Sequence, residues 1–231
     1  MVSVKESSLK EVFTNRIVVP DYQRPYSWEK EQIEDFYYDL VSFLKKDSDT
    51  YLFGQIIVYE DETQNSITTY NIVDGQQRMS TSIILLNALR DYINANNITI
   101  AKSTLNSLDN ATGIYDEGDN TLTLIMNKED QHFFFEYVQQ SNHTIEPESP
   151  SNKRIKDAYE LLYNHLADSE EENKSDFITR MIVRFLNNFK VIFVQETNLE
   201  KAYVIFETLN SRGKPLEVQD LLKTLTRQTW V

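Results

Sequence analysis

No cysteine occurs among the 231 residues. Its absence excludes disulfides, thiol catalysis and cysteine-ligated zinc, and fits a reducing compartment. Glycine is scarce, five residues in all against a usual ~7% of a chain, so glycine-rich nucleotide loops have little to be built from. The nearest approach to a P-loop, Gly113-Ile114-Tyr115-Asp116-Glu117-Gly118, continues into Asp119-Asn120 where Lys-Ser/Thr should follow. An acidic loop repels phosphate, and we reject it together with any dinucleotide fingerprint. Long hydrophobic runs are missing too. Nothing approaches ~18 consecutive apolar residues, and the N-terminus has no apolar signal core. A soluble cytoplasmic protein with no membrane contact is expected. Basic charge is short, 23 Lys and Arg against 36 Asp and Glu, for a net charge of −13. That balance argues against a general nucleic-acid-binding surface, because such affinity comes largely from neutralised phosphates. Any anion site must be a local cluster. The three histidines, His132, His143 and His165, show no metal-binding spacing and read as surface or half-buried residues.

What is present is enough for a core, with 40% hydrophobic and 12% aromatic residues. Arg16 to Pro20 reads as a short strand closed by proline. Ser27 is a plausible N-cap for a helix that places Ile33, Phe36, Tyr37, Leu40, Val41 and Leu44 on one face. Tyr51 to Tyr59 and Ile67 to Val73 read as two strands separated by a polar turn, Glu60 to Ser66. Asp74-Gly75 breaks the second strand, and an apolar, buried helix runs from about Gln77 to Asn94. Residues 95 to 121 read as a long polar excursion. A short strand at Leu122 to Met126 and a helix near Glu129 to Gln140 follow, then a linker from Ser141 to Ser151. Helices are expected at Ser151 to Ala167, Lys174 to Phe189 and Leu199 to Leu209, with a strand at Val191 to Gln195. Gly213 and Pro215 should end the helix before them, and a last helix from about Glu217 is expected to continue beyond Val231.

Three patches combine polar chemistry with special backbone positions. In Asp74-Gly75-Gln76-Gln77-Arg78, Gly75 allows a tight turn, and the helix-start amides with Arg78 can hold phosphate oxygens. Asp74 can bind a divalent ion, and a glutamine can position a water. The same residues would also serve a plain turn with a polar helix cap. In Pro20 to Trp28, Arg24 lies between Tyr22 and Tyr26 with two prolines, suiting a rigid loop that offers a guanidinium and a stacking ring. Aromatic packing around a proline turn would use the same residues. In Phe206 to Leu216, Asn210 and Arg212 are either further phosphate or base contacts or parts of an ordinary helix C-cap.

Taken together and in order, Val19-Pro20-x-Tyr22-Gln23-Arg24-x-Tyr26-x-Trp28, Phe53-Gly54-x-Ile56, Val73 to Thr81, Phe206-x-x-Leu209-Asn210-x-Arg212-Gly213-x-Pro215-Leu216 and Asp220-Leu221-Leu222-Lys223 carry a specific resemblance. The chain resembles the DGQQR-type N-terminal domain of GmrSD and BrxU-like modification-dependent restriction enzymes. Ser80 departs mildly, standing where threonine is more usual. The resemblance implies an α+β fold similar to ParB and sulfiredoxin, a small mixed sheet with helices followed by a mainly helical part. It divides the chain into a nucleotide-binding core (1–94), a mainly helical insertion (95–190) and a return strand and helices completing the site (191–231). It implies a nucleotide-binding, NTP-hydrolysing regulatory domain in anti-phage defence, without its HNH nuclease half. The implied catalytic residues are Asp74, Gln76, Gln77 and Arg78. The implied phosphate and nucleotide contacts are Gln23, Arg24, Gly75, Arg78, Asn210 and Arg212, with Tyr22 and Tyr26 as base-stacking rings. Asp74 is the implied ligand for Mg²⁺, and the nucleoside triphosphate is substrate or effector. The implied partners are a C-terminal HNH nuclease domain, modified DNA and a second copy of the chain. Two alternatives stay open: a DNA phosphodiester hydrolase built on the same site, and a non-enzymatic module that binds DNA or protein.

Overall fold

The computed structural model describes residues 2–46, 48–64, 67–113 and 122–210. Six strands, β1 (Ser3–Ser8), β2 (Arg16–Val18), β3 (Tyr51–Gln64), β4 (Ile67–Asp74), β5 (Leu124–Ile125) and β6 (Phe189–Glu196), form one sheet in the order β1-β6-β3-β4-β2-β5. The sheet is mixed. β3 and β4 are antiparallel, as are β1 and β6, while β3 runs parallel to β6 and β2 parallel to both β4 and β5. The helices are α1 (Leu9–Val12), α2 (Lys30–Leu44), α3 (Gln76–Ala95), α4 (Lys102–Thr112), α5 (Gln131–Phe133), α6 (Pro150–Asp168), α7 (Lys174–Asn188) and α8 (Leu199–Asn210). A π-helical segment, Phe134–Gln139, continues α5. The fold is therefore α+β, as the sequence reading expects. Among the described residues no helix is long and apolar enough to cross a membrane.

Alternation along the strands sends neighbouring residues to opposite faces of the sheet. Ile56, Val58, Ile72 and Phe193 join the main core with Phe36, Phe185 and Leu85. Ile57, Val73, Ile192 and Val194 face the other way and pack against Ala202, Ile205 and Leu209 of α8. α8 thus covers the second face and brings Phe206 toward the end of β4. α3 is buried nearly all round, and its N-terminus follows directly on the end of β4, an interior strand of the sheet.

Several elements differ from the sequence reading. The helix expected to be capped by Ser27 starts later. Glu29 is the N-cap of α2 and donates its N–H to Gln32 Oε1 at 2.9 Å, while the Ser27 N–H is taken by Gln77 Oε1 at 2.8 Å. The polar turn expected from Glu60 to Ser66 is mostly strand, because β3 and β4 extend as an exposed ribbon with Thr63 and Thr68 hydroxyls 3.1 Å apart. The excursion at 95–121 contains α4, which ends on Gly113 in the left-handed region at φ +73. The first glycine of the rejected P-loop is therefore a helix cap, and residues 114–121 lie outside the described set. Of the three consecutive phenylalanines Phe133, Phe134 and Phe135, the first two belong to the core. Phe133 and Phe134 are buried, and Phe135 is half-buried in the wider π-helical turn.

Candidate functional site

The site grows from the junction of β4 with α3. β4 delivers Asp74 half-buried, and Gly75 then turns the chain at φ +96 to start the helix. A Cβ on Gly75 would stand 3.1 Å from both the Gln55 carbonyl oxygen and Ile56 Cγ1, so the turn is pressed onto β3. No side chain caps α3, and its first-turn amides keep the positive end of the helix dipole open to an anion. Arg78 folds back over the turn. Its Nη2 donates to the Gln55 carbonyl and lies 3.7 Å from Asp74 Oδ2, which also accepts from Gln55 Nε2 at 3.2 Å. Gly54, at φ +111 in a register shift between β3 and β6, leaves the space for this guanidinium. A Cβ there would stand 3.5 Å from Arg78 Cζ and Nε. Burial pulls the Arg78 guanidinium below its usual value while Asp74 pushes it up, and its Nε is buried without a hydrogen-bond partner.

The loop from Pro20 to Trp28 is clamped over this junction. Gln76 Nε2 donates to the Arg24 carbonyl at 3.1 Å, and Gln77 joins the Pro25 carbonyl (3.3 Å) to the Ser27 N–H. Gln23 Nε2 reaches the Val73 carbonyl at 3.1 Å. From the far side, Asn127 donates to the Gln23 carbonyl (3.2 Å) and Asp130 accepts from the Tyr26 N–H (2.7 Å). These bonds spend most of the glutamine amides on holding the loop. Gln76 Oε1 is left as a buried acceptor with no partner.

Between loop, turn and α8 lies a cleft of about 400 Å³. Asp74, Gly75, Gln76, Gln77 and Arg78 form its floor, Gln23 and Arg24 one wall, and Trp28 and Phe206 aromatic sides. Arg24 is exposed and has no ion-pair partner among the described residues. Seven of the expected site residues are thus brought together. Others are not. Tyr26 is buried in the core with its hydroxyl 2.8 Å from Thr81 Oγ1, so its ring is not offered to a base. Tyr22, half-exposed, stands beside Tyr203 at a ring separation of 6.1 Å and does not line the cleft. The Asn210 side chain and Arg212 lie outside the described residues. The Ser80 hydroxyl points into the core, 3.3 Å from Met126 Sδ.

Sequence reasoning missed Gln55, which fixes both Asp74 and Arg78, and Asp130, which holds the loop from 104 positions away. The Phe53-Gly54 signal lay next to the first; nothing local pointed to the second. No curated protein matches the chain. The family model described as GmrSD restriction endonuclease, N-terminal domain, matches residues 9–226 and so spans every residue of the cleft. The chain belongs to this family of N-terminal domains and is a restriction-system protein.

Proposed function

We propose that the cleft binds a nucleoside triphosphate with Mg²⁺ and that its hydrolysis regulates DNA restriction. The observation that carries this reading is the meeting of two arginines, one carboxylate and an uncapped helix start in one cleft of a strongly acidic chain. Arg24, Arg78 and the first amides of α3 receive phosphate oxygens. Asp74 holds Mg²⁺ together with phosphate oxygens and waters, since Mg²⁺ needs only one or two protein carboxylates when phosphates share it. Gln76, held by the Arg24 carbonyl on the floor of the cleft, orients the attacking water. Trp28 and Phe206 flank the base. On this reading the domain signals to an HNH-type nuclease acting on modified DNA.

Among the described residues no group of three or more His, Asp or Glu side chains converges to hold a metal. A lone Asp74 supplies a nucleotide-borne Mg²⁺ better than a two-metal phosphodiesterase. The test is phosphate release from GTP, ATP, CTP and UTP by the wild type, Asp74→Ala and Arg78→Ala, with plasmid cleavage in parallel. Release lost in both variants without nicking supports the reading. Nicking that vanishes in Asp74→Ala favours the phosphodiesterase instead, and neither release nor a nucleotide-induced thermal shift leaves a non-enzymatic module.

A further inference from the structure

The carboxylate of Asp74 is held asymmetrically, and the cause lies in β3. Between Leu52, opposite Lys190, and Gln55, opposite Ile192, β3 carries one residue more than β6, a bulge that includes Gly54 at φ +111. In an unbroken strand Phe53 and Gln55 would share a face. The bulge separates them. Phe53 packs on the main core, its ring 5.5 Å from Phe36 and 5.4 Å from Phe189. Gln55 falls in alternation with Ile57, which lies on the second face of the sheet with α8. Bulges re-aim side chains in this way and gather next to active sites. β4 is irregular at the same level, since Ile57 pairs with Asp74 and Val58 already with Ile72.

The contact between Gln55 and Asp74 sorts the two oxygens of the carboxylate. Oδ2 accepts from Gln55 Nε2 at 3.2 Å and faces Arg78 Nη2 at 3.7 Å. Oδ1 has no hydrogen-bond partner among the described residues, and α3 takes no side-chain cap from it. The Asp74 side chain is 25% exposed and lines the cleft, so this second oxygen is open to a ligand there. Arg78 is held by a different part of Gln55. Its guanidinium donates to the backbone carbonyl, a bond that does not need the Gln55 side chain. The carboxamide therefore serves Asp74 alone, and the carbonyl serves Arg78.

We propose that Gln55 is the positioning residue of the cation site: its carboxamide ties Asp74 Oδ2 to the Arg78 side and presents Oδ1 to the divalent cation of a metal–nucleotide complex. The inference rests on the nucleotide reading of the cleft. A neutral amide suits the task, because it fixes the carboxylate without adding a positive charge that would oppose the cation. Carboxylates that hold metals are themselves oriented by hydrogen bonds, and losing such a bond lowers metal affinity about 10- to 100-fold. Here the loss has a definite route. Released from Gln55, the carboxylate can turn both oxygens to the Arg78 guanidinium, the bidentate geometry that such pairs favour. The cation then loses its protein ligand, while Arg78 stays on the Gln55 carbonyl.

Calorimetry tests this without relying on turnover. The β,γ-imido analogues of GTP, ATP, CTP and UTP are titrated into the protein, once with excess Mg²⁺ and once with EDTA. Mg²⁺ is expected to tighten wild-type binding. Gln55→Met, which keeps the length and removes the donor, should cut that tightening by about tenfold and leave binding in EDTA as in the wild type. Arg78→Ala should instead weaken binding in EDTA as well. Gln55→Ala, which only removes atoms, is expected to match Gln55→Met and keeps the test open if the longer side chain disturbs packing; thermal unfolding checks both. The Mg²⁺ concentration for half-maximal phosphate release should rise by the same factor. A Mg²⁺ effect that survives both substitutions overturns the proposal while the nucleotide reading stands. So does an equal loss with and without Mg²⁺, which marks a residue of structure only, or wild-type binding indifferent to Mg²⁺. If the wild type binds none of the four analogues, the nucleotide reading falls and this inference falls with it.

Discussion

At Gly54 and Gly75 the backbone takes φ +111 and +96, and both residues surround the same guanidinium. Alanine at either position meets strain of about 1–3 kcal/mol for an unfavourable backbone region. The space differs, however. At Gly75 a Cβ sits 3.1 Å from a β3 carbonyl oxygen, whereas at Gly54 it meets only the far end of Arg78 at 3.5 Å. Gly75→Ala should therefore lose more stability in urea unfolding than Gly54→Ala; equal losses would contradict the contact argument. On the proposed function, Arg78 receives phosphate from within this space. A hydrogen bond to a charged group contributes about 1.5–3 kcal/mol. Arg78→Ala should accordingly weaken nucleotide binding roughly 10- to 100-fold by calorimetry, with phosphate release falling alongside. The sequence singles out Arg78 and Gly75 through their motif. It cannot show that Gln55 orients Asp74 and Arg78 from another strand, because a glutamine in a strand has no local signature of that work.

The elements divide by how much apolar surface they bury. α2, α6 and α7 were legible because each lays one apolar face on the core at helical spacing, and α3 because it is buried nearly all round. β1 was not, since it is an edge strand whose residues Ser3 to Glu6 are mostly exposed. α4 was missed for a similar reason. Its buried face is Thr104, Leu108, Ala111 and Thr112, of which only Leu108 is strongly apolar. At this scale the glutamine pair acts as a clamp. Gln77 is buried and links α3 to the Pro20–Trp28 loop through both its oxygen and its nitrogen. Replacing it with leucine strands the Ser27 N–H and the Pro25 carbonyl. The expected cost is about 1–3 kcal/mol for unsatisfied buried groups. Hydrogen exchange at the Ser27 amide should speed up while exchange in the α3 core does not.

For the whole molecule, Asp130 is the long-range fastener. It accepts from the Tyr26 N–H, from Ser151 Oγ and from Asn152 Nδ2, tying the site loop to the start of α6. Burial raises its carboxyl above the usual aspartate value, although the bonds from Ser151, Tyr26 and Asn152 pull it down. The folded state then holds this proton more tightly than the unfolded chain. Its contribution to stability is fully present below the unfolded value and falls as pH rises through the interval above it. Asp130→Asn keeps an acceptor for the Tyr26 N–H and removes that slope. Urea midpoints of the wild type should decline more steeply than those of the variant as pH rises from about 4 into the interval the raised value opens. Parallel curves would refute the assignment.

By itself the sequence determined the α+β class, the strand-turn-helix at Asp74 to Arg78 and the family, since these rest on local periodicity, turn chemistry and motif order. Only the tertiary structure decided which motif residues share a cleft. It buried Tyr26, moved Tyr22 beside Tyr203, and put Trp28 and Phe206 in the aromatic positions. The physical reason is that a side chain's direction depends on what its element packs against. Tyr26 is drawn inward by Asp130 and Thr81, while Phe206 reaches the cleft because α8 packs on the sheet's second face. Asp130 and Thr81 lie 104 and 55 positions from Tyr26, beyond the reach of any local pattern.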